Sequence, residues 1–281
     1  MSDSATPQAR ALSAAGAVIA GGMGSRMGDG PPKAERLLGG SSLGSRAVGT
    51  LERALGGAPI LYSMGVRMHK PRDVPSAATA LADSDNDMGP LSGLVSCLAS
   101  ARDRVDLLVM IPCDMPLLHP ALLRALLDRA SLDCVLTINE PSDERVSPFP
   151  SVWPTSLSER VSEMYSAGER SPRAAIAALN HTALSRHDLL CDPEVELVDP
   201  NLEGLEDIDS SDALGAFRDR APKVRVMTGE RLTVHTAWSL GDLAEALGIT
   251  KPKDTVWVIN GRPATFQPAL PLFERDSISV L

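Results

Sequence analysis

The 281-residue chain holds only four cysteines (Cys97, Cys113, Cys134 and Cys191), widely spaced and without a CxxC pair. That excludes the usual zinc-ligand spacing and a disulfide framework, and makes a reducing cytoplasm the expected compartment. No apolar run approaches the roughly 20 residues a membrane-spanning helix needs, so no membrane association is expected. Residues 11–22 are apolar, but Asp3 precedes them, no basic cluster flanks them, and they lead into a Gly-rich loop, unlike a secretory signal. Positive charge is scarce. The 27 Lys and Arg against 36 Asp and Glu give a net charge of -9 and a pI near 5.1. This balance argues against a nucleic-acid binder and leaves room for a small anion held locally. Gly and Pro, at 22 each, are near average usage and exclude a collagen-like or low-complexity chain. Absent too are a GxSxG elbow, a Walker GxxxxGK[ST] motif and a complete GxGxxG, since Met27 stands where the last glycine would fall. The five histidines show no ligand spacing.

What is present is the composition of a folded globular chain, 43% apolar and 22% charged, long enough for one large domain or two unequal ones. Residues 17–20 (AVIA) are a short apolar run stopped by Gly21-Gly22, the pattern of a buried strand ending in a loop. Beyond it the spacing predicts a helix over 43–55, a strand at 60–62 and a helix over 90–101 with Leu91, Leu94, Val95 and Leu98 on its apolar face. A buried strand at 106–111 (DLLVMI), a helix from Pro120 and a strand at 134–138 follow. Strands alternating with helices indicate βαβ units and an α/β fold with a mainly parallel sheet, whose ligands bind beyond the carboxyl ends of the strands. Gly21 and Asp114 both fall at such ends.

The pattern changes at 221–222. A hairpin around Thr228-Gly229-Glu230, a helix opened by Ser239 with Asp242 three residues on and closed by Gly248, and strands at 256–259 and 277–281 make a ββαββ unit. The expected organisation is a loose tail over 1–14, an α/β domain over 15–220 and a small α+β domain over 221–281. Trp238 and Trp257 are expected to pack the small domain, because burying such large rings stabilises a minimal core.

Two loops carry the chemistry. A glycine-rich turn over 22–28 lets backbone N–H groups approach a phosphate, with Arg26 and Lys33 adding charge; the same residues also suit a plain tight turn. Asp114, just past a fully apolar strand, is placed either to hold a hard Mg²⁺ ion bridging phosphates or to serve as a turn or capping aspartate. From composition alone Asp83, Asp85 and Asp87, and Asp207 with Asp209, read as solvated acidic loops.

Three ordered stretches taken together, 19–28 (IAGGMGSRMG) followed by Lys33, 89–93 (GPLSG) and 113–117 (CDMPL), resemble the molybdenum cofactor guanylyltransferases. The pattern of that family is LAGGxSxRMGxDK, GPLAG and CDxPxL, and the resemblance covers residues 15–218. It implies a Rossmann-like nucleotidyltransferase fold, with GMP passing from Mg-GTP to the terminal phosphate of molybdopterin and pyrophosphate released. On that resemblance Ile19, Ala20, Gly21 and Gly22 line guanine and phosphate, and Arg26 and Lys33 are catalytic cations neutralising the triphosphate. Asp114 carries Mg²⁺, and Asp209 is a second metal contact within 207–212, which looks like the family's late D-x-D-T-P-x-D segment. Asp83 stands at a nucleotide-contacting aspartate, and Ser63, Gly89 and Pro90 complete the nucleotide site. Two departures stand out. Pro31-Pro32 and one extra residue precede Lys33, where the family has Asp directly before its lysine. Ser63 replaces the family's asparagine at the end of the second strand and cannot offer amide contacts to a base.

Residues 223–281 resemble the β-grasp (ubiquitin-like) sulfur-carrier proteins of molybdopterin and thiamine synthesis through the hairpin, the helix and 258–262 (VINGR). Those carriers end in a Gly-Gly tail, whereas Ser279-Val280-Leu281 stand here, so the resemblance implies docking of other molybdenum cofactor biosynthesis proteins, or stabilisation, rather than sulfur transfer. Two other readings compete with the guanylyltransferase. One is a cytidylyltransferase on the same cofactor, whose members read LAAG, with alanine where Gly21 stands, and lack GPLxG. The other is a non-catalytic nucleotide- or cofactor-binding scaffold, toward which Ser63 and the Pro31-Pro32 loop point.

Overall fold

The computed structural model describes residues 12–21, 30–65, 70–83, 89–140 and 145–281. The first strand, β1 (Ala14–Ile19), begins inside the segment read as a tail. The Ser13 backbone N–H and hydroxyl both donate to Asp106 Oδ2, at 2.8 and 2.7 Å, which pins the chain just ahead of the strand. Then come β2 (Leu37–Leu38), β3 (Ser41–Ser42), α1 (Leu43–Leu55), β4 (Ile60–Ser63) and β5 (Thr79–Leu81). They are followed by α2 (Pro90–Ala101), β6 (Leu107–Pro112), α3 (Pro120–Leu127), β7 (Val135–Asn139) and β8 (Val146–Pro154). The large unit closes with α4 (Ser158–Ser166), α5 (Pro172–Ala177), β9 (His181–Leu184), α6 (Arg186–Leu190), α7 (Pro193–Val198) and α8 (Ser211–Phe217).

Seven of these strands form one sheet in the order β5-β4-β1-β6-β8-β7-β9. β1 lies parallel between β4 and β6, so the loops after β1 and β6 emerge side by side. Strand periodicity sends alternate residues to opposite faces. Val18, Val109 and Ile111 join α1 and α3 in one buried cluster, while Ala17, Ile19, Leu108 and Met110 join α2, α4 and α5 in another. Helices on both faces explain why β1 and β6 are apolar throughout. Helix ends follow local chemistry: the Ser42 hydroxyl accepts from the Ser45 N–H at 3.0 Å to open α1, and Gly56, at φ +63°, closes it.

The alternation of strand and helix does not hold throughout. β8 runs antiparallel between β6 and β7, directly after β7. Its sequence, VSPFPSVWP, hides it, because three prolines erase the strand pattern.

The C-terminal unit contains β10 (Lys223–Thr228), β11 (Arg231–Thr236), α9 (Leu240–Ala246), β12 (Trp257–Ile259), β13 (Arg262–Ala264) and β14 (Ser277–Val280). Its five-stranded sheet has the order β11-β10-β14-β12-β13, with β10 antiparallel to β11 and parallel to β14. β13, absent from the ββαββ reading, is a three-residue edge strand containing Pro263. α9 covers one face, where Val224, Val226, Leu240, Leu243, Trp257 and Ile278 are buried together. Trp257 thus packs the small unit. Trp238 does not: it is buried against Leu38, Leu43, Ile208, Leu214 and Phe217 of the large unit. Among the described residues no helix is long and apolar enough to cross a membrane.

Candidate active site

Sheet order builds the site. β1 ends at Ile19, and Ala20 and Gly21 follow it; β6 ends at Pro112, and Cys113 and Asp114 follow. The two exits are tied by the Cys113 N–H donating to the Ile19 carbonyl at 3.3 Å, and the Ala20 N–H donates to the Ser63 carbonyl at 3.1 Å. Into this edge comes Lys33, at the start of a short 3-10 turn that follows the extended Pro32. Its Nζ lies 2.7 Å from Asp114 Oδ2 and 3.7 Å from Asp209 Oδ1. The two prolines and the extra residue therefore do not carry the lysine away from the carboxylate. Burial alone disfavours the ammonium, but the charge and hydrogen bond of Asp114, with Asp209 adding to them, hold the Lys33 pKa above its ordinary value.

The 207–209 segment reaches the lysine because the Ile208 N–H donates to the Asp114 carbonyl at 2.9 Å, while the Ile208 side chain is fully buried. Asp207, read from composition as solvated, is exposed, yet it stands on the wall of a cavity beside Lys33 and Asp114. Its pKa is raised by burial first and then by the negative charges of Asp209 and Asp114, with Lys33 opposing. A cavity of about 340 Å³ opens beside this cluster, with Ile19, Ala20, Lys33, Pro90, Asp114 and Asp207 among its walls. Glu140 and Arg173 face each other on the far wall as an ion pair, and no motif in the sequence marked either.

A second cluster lies across β1. The Ser63 hydroxyl donates to Asp83 Oδ1 at 2.5 Å, and Asp83 has a raised pKa because burial outweighs the hydrogen bonds from Ser63 and Gly65. Gly21 and Gly65 touch backbone to backbone. A Cβ on Gly21 would fall 2.7 Å from the Gly65 Cα and 3.2 Å from Asp83 Oδ2, so glycine is required here for close approach. Gly93, in the first turns of α2, presses on the buried Ser63, since a Cβ there would meet its Oγ at 2.5 Å. Gly89 precedes α2 as its N-cap and Pro90 is its first residue. Gly65 and Gly93 were not expected as part of the site; their close approaches depend on which strands neighbour one another. Gly22 and Arg26 lie outside the described residues.

Among the described residues no three His, Cys, Asp or Glu converge as a metal cage. A nucleotide-borne divalent ion does not need one, because Mg²⁺ is commonly held by one or two carboxylates plus substrate phosphates. Asp114 and Asp209, both facing Lys33, are hard oxygen donors at the correct sheet edge and fit that requirement.

The sequence model of the MobA-like NTP transferase domain matches residues 16–183, a span that contains β1, Lys33 and Asp114. The chain belongs to the MobA-like NTP transferase family. A molybdenum cofactor guanylyltransferase of Pseudomonas syringae pv. syringae is 36% identical over 124 residues, 44% of this chain and 56% of that protein. The chain thus spans little more than half the length of that relative. A Pseudomonas paraeruginosa protein of the same name is 29% identical over 187 residues, 66% of this chain and 87% of that protein. In fold, the NTP transferase chain is similar to molybdopterin-guanine dinucleotide biosynthesis protein A from Archaeoglobus fulgidus, with a TM-score of 0.54 at 18% identity, covering 74% of this chain and 97% of that one. It is likewise similar to a nucleotidyl transferase from Methanothermobacter, with a TM-score of 0.56 at 15% identity, covering 74% and 97%.

Proposed function

We propose that this NTP transferase carries GMP from Mg-GTP to the terminal phosphate of molybdopterin and releases pyrophosphate. The observation that carries the reading is the Lys33-Asp114-Asp209 cluster at the adjoining carboxyl ends of β1 and β6, with Gly21 beside it. Lys33 and Asp114 neutralise each other. A Mg-triphosphate would offer each a partner, its phosphate oxygens to Lys33 and its cation to Asp114. When bound, Mg²⁺ supplies charge stabilisation at the α-phosphorus and the pyrophosphate leaving group. Asp209 would be the second carboxylate for the ion. Ile19, Ala20 and Pro90 wall the cavity that receives the nucleotide, and the glycine approach at Gly21, with Ser63 and Asp83 behind it, takes the base. No protein nucleophile is required, because the acceptor phosphate attacks in line.

The C-terminal unit is best read as a β-grasp module. Its strand order, with the first strand central and parallel to the last and one helix crossing the sheet, supports this, and so does the segment Val258 to Arg262. We place the domain boundary at 220–221, between α8 and β10, and the reaction in the cytoplasm, where free thiols and GTP coexist. All four cysteines are free.

The test is pyrophosphate release by the full chain with Mg²⁺, molybdopterin and either GTP or CTP, beside Asp114→Asn. Release with GTP that is lost in the variant supports guanylyl transfer. Release with CTP moves the assignment to cytidylyl transfer, and nucleotide binding without release from either leaves only a binding role.

A further inference from the structure

Arg46, on α1, is 1% exposed, yet no carboxylate among the described residues stands within ion-pair distance of it. A buried guanidinium is costly unless its nitrogens find acceptors. Here each of its three nitrogens donates to a backbone carbonyl, from three different segments: Nε to Pro116 at 3.0 Å, Nη1 to Trp238 at 2.7 Å and Nη2 to Leu272 at 3.2 Å. Its charge also lies 4.7 Å from the centre of the Trp238 ring and 5.5 Å from that of Phe273. Pro116 is two residues past Asp114; Trp238, Leu272 and Phe273 belong to the C-terminal unit.

The Trp238 ring makes a second connection. It shares a buried cluster with Leu38, Leu43 and Ile208, and Leu117 packs at the edge of that cluster. Leu38 and Leu43 bracket the β2–β3 turn that follows Lys33, Leu117 follows Asp114, and Ile208 separates Asp207 from Asp209. The contact with the β2–β3 turn is close: the Ser239 hydroxyl donates to the Gly39 carbonyl at 2.5 Å, and a Cβ on Gly39 would sit 2.2 Å from that of Trp238. Gly39 is also at φ +53°, so the turn can meet the tryptophan only as glycine. The cluster is separate from the cores on both faces of the large sheet and from the core of the small unit.

We infer that Trp238 and Arg46 are positioning residues through which the C-terminal unit sets the relative placement of Lys33, Asp114 and Asp207–Asp209. Neither touches the site itself. Each of the three segments that meet at Lys33 is backed by a side chain or carbonyl held from the C-terminal unit, so a small shift of that unit opens the cluster without unfolding either sheet. The kinetic part of the inference rests on the guanylyltransferase reading; the structural part does not.

The experiment uses the full chain in four forms: wild type, Arg46→Lys, Trp238→Phe, and Trp257→Phe as a control that makes the same change in the small unit's own core. Hydrogen exchange is followed over 33–43, 113–118 and 206–210. Exchange in all three segments should rise about tenfold in Arg46→Lys and Trp238→Phe, with β1 and β6 unchanged, while Trp257→Phe should loosen only residues 223–280. In pyrophosphate release the same two variants should need about fivefold more Mg²⁺ and GTP for half-saturation, with kcat at saturation within about twofold. Loss of active fraction alone would instead lower kcat at unchanged half-saturation. Unchanged exchange in the three segments, equal loosening by Trp257→Phe, or a fall in kcat without a shift in Mg²⁺ half-saturation would each overturn the inference. Should Trp238→Phe fail to fold, Arg46→Lys decides alone. Absence of turnover in the wild type would overturn the functional reading while exchange still judges the positioning role.

Discussion

Acidification should loosen the seam between the two units through one residue, His119. Its ring nitrogens are both assigned by their partners: Nδ1 accepts the Ala121 N–H at 3.1 Å as the N-cap of α3, and Nε2 faces the Glu274 carbonyl at 3.2 Å, which requires the proton on Nε2. The ring also meets Phe273 edge-on, with centroids 6.1 Å apart. Burial pushes the His119 pKa from 6.5 down to about 4, against the opposing pull of Asp276 and the Glu274 carbonyl. A base with a depressed folded-state pKa leaves the unfolded chain holding more protons between the two values, so stability falls as pH drops from 6.5 toward 4 and levels off below. At 1.36 kcal/mol per pH unit, the whole interval corresponds to about 3 kcal/mol. The comparison is urea unfolding of wild type and His119→Asn at several pH values from 7.5 to 4. Asn keeps an N-cap acceptor but does not titrate. The wild type should lose about 2–3 kcal/mol more than the variant across this range, with the slope beginning near 6.5. Parallel pH profiles for the two proteins would refute the reasoning, since every other titrating group is common to both.

Three further outcomes follow from the site. Lys33→Met removes the cation shared by Asp114 and Asp209, and kcat/KM for GTP should fall by about 10²–10³, checked by steady-state pyrophosphate release. Ser63→Ala leaves the half-buried Asp83 carboxylate without its 2.5 Å hydroxyl donor, which should cost about 1–3 kcal/mol at pH 7 in urea unfolding. That cost should shrink below the carboxylate range, because the pKa of Asp83 is already raised in the fold and rises further once the hydroxyl is gone. Gly21→Ala drives a Cβ into the Gly65 backbone and should weaken GTP binding about tenfold or more, measured by calorimetry, and also lower the unfolding midpoint. An alanine tolerated at 21 without loss of affinity would mean that the β1 exit does not hold the nucleotide.

The central strands and their flanking helices were legible because their signals are local. The apolar runs at 17–20 and 106–111 and the helical spacing over 43–55 and 90–101 each act within a few residues, and all correspond to elements found in the structure. β8 was not legible, because its pairing on both sides outweighs three prolines that argue against a strand. The place of Asp207 on the cavity wall was not legible for a similar reason, although the residue is exposed as its composition suggests. An acidic run is solvated by default, and only the Ile208 hydrogen bond to the Asp114 carbonyl draws it to the site. Trp238 was assigned to the wrong core, since a buried tryptophan announces its burial but not its partner.

The sequence by itself determined the α/β pattern and placed Gly21 and Asp114 at the ends of apolar strands, because residue chemistry and short-range periodicity are written along the chain. Only the tertiary structure decided that Lys33 meets Asp114 across 81 residues, that Gly65 and Gly93 close on Gly21 and Ser63, and that the C-terminal unit backs the site through Arg46 and Trp238. Those contacts follow from strand order and from the docking of two hydrophobic surfaces, which arise from packing over long sequence separations and leave no mark on any short stretch of chain.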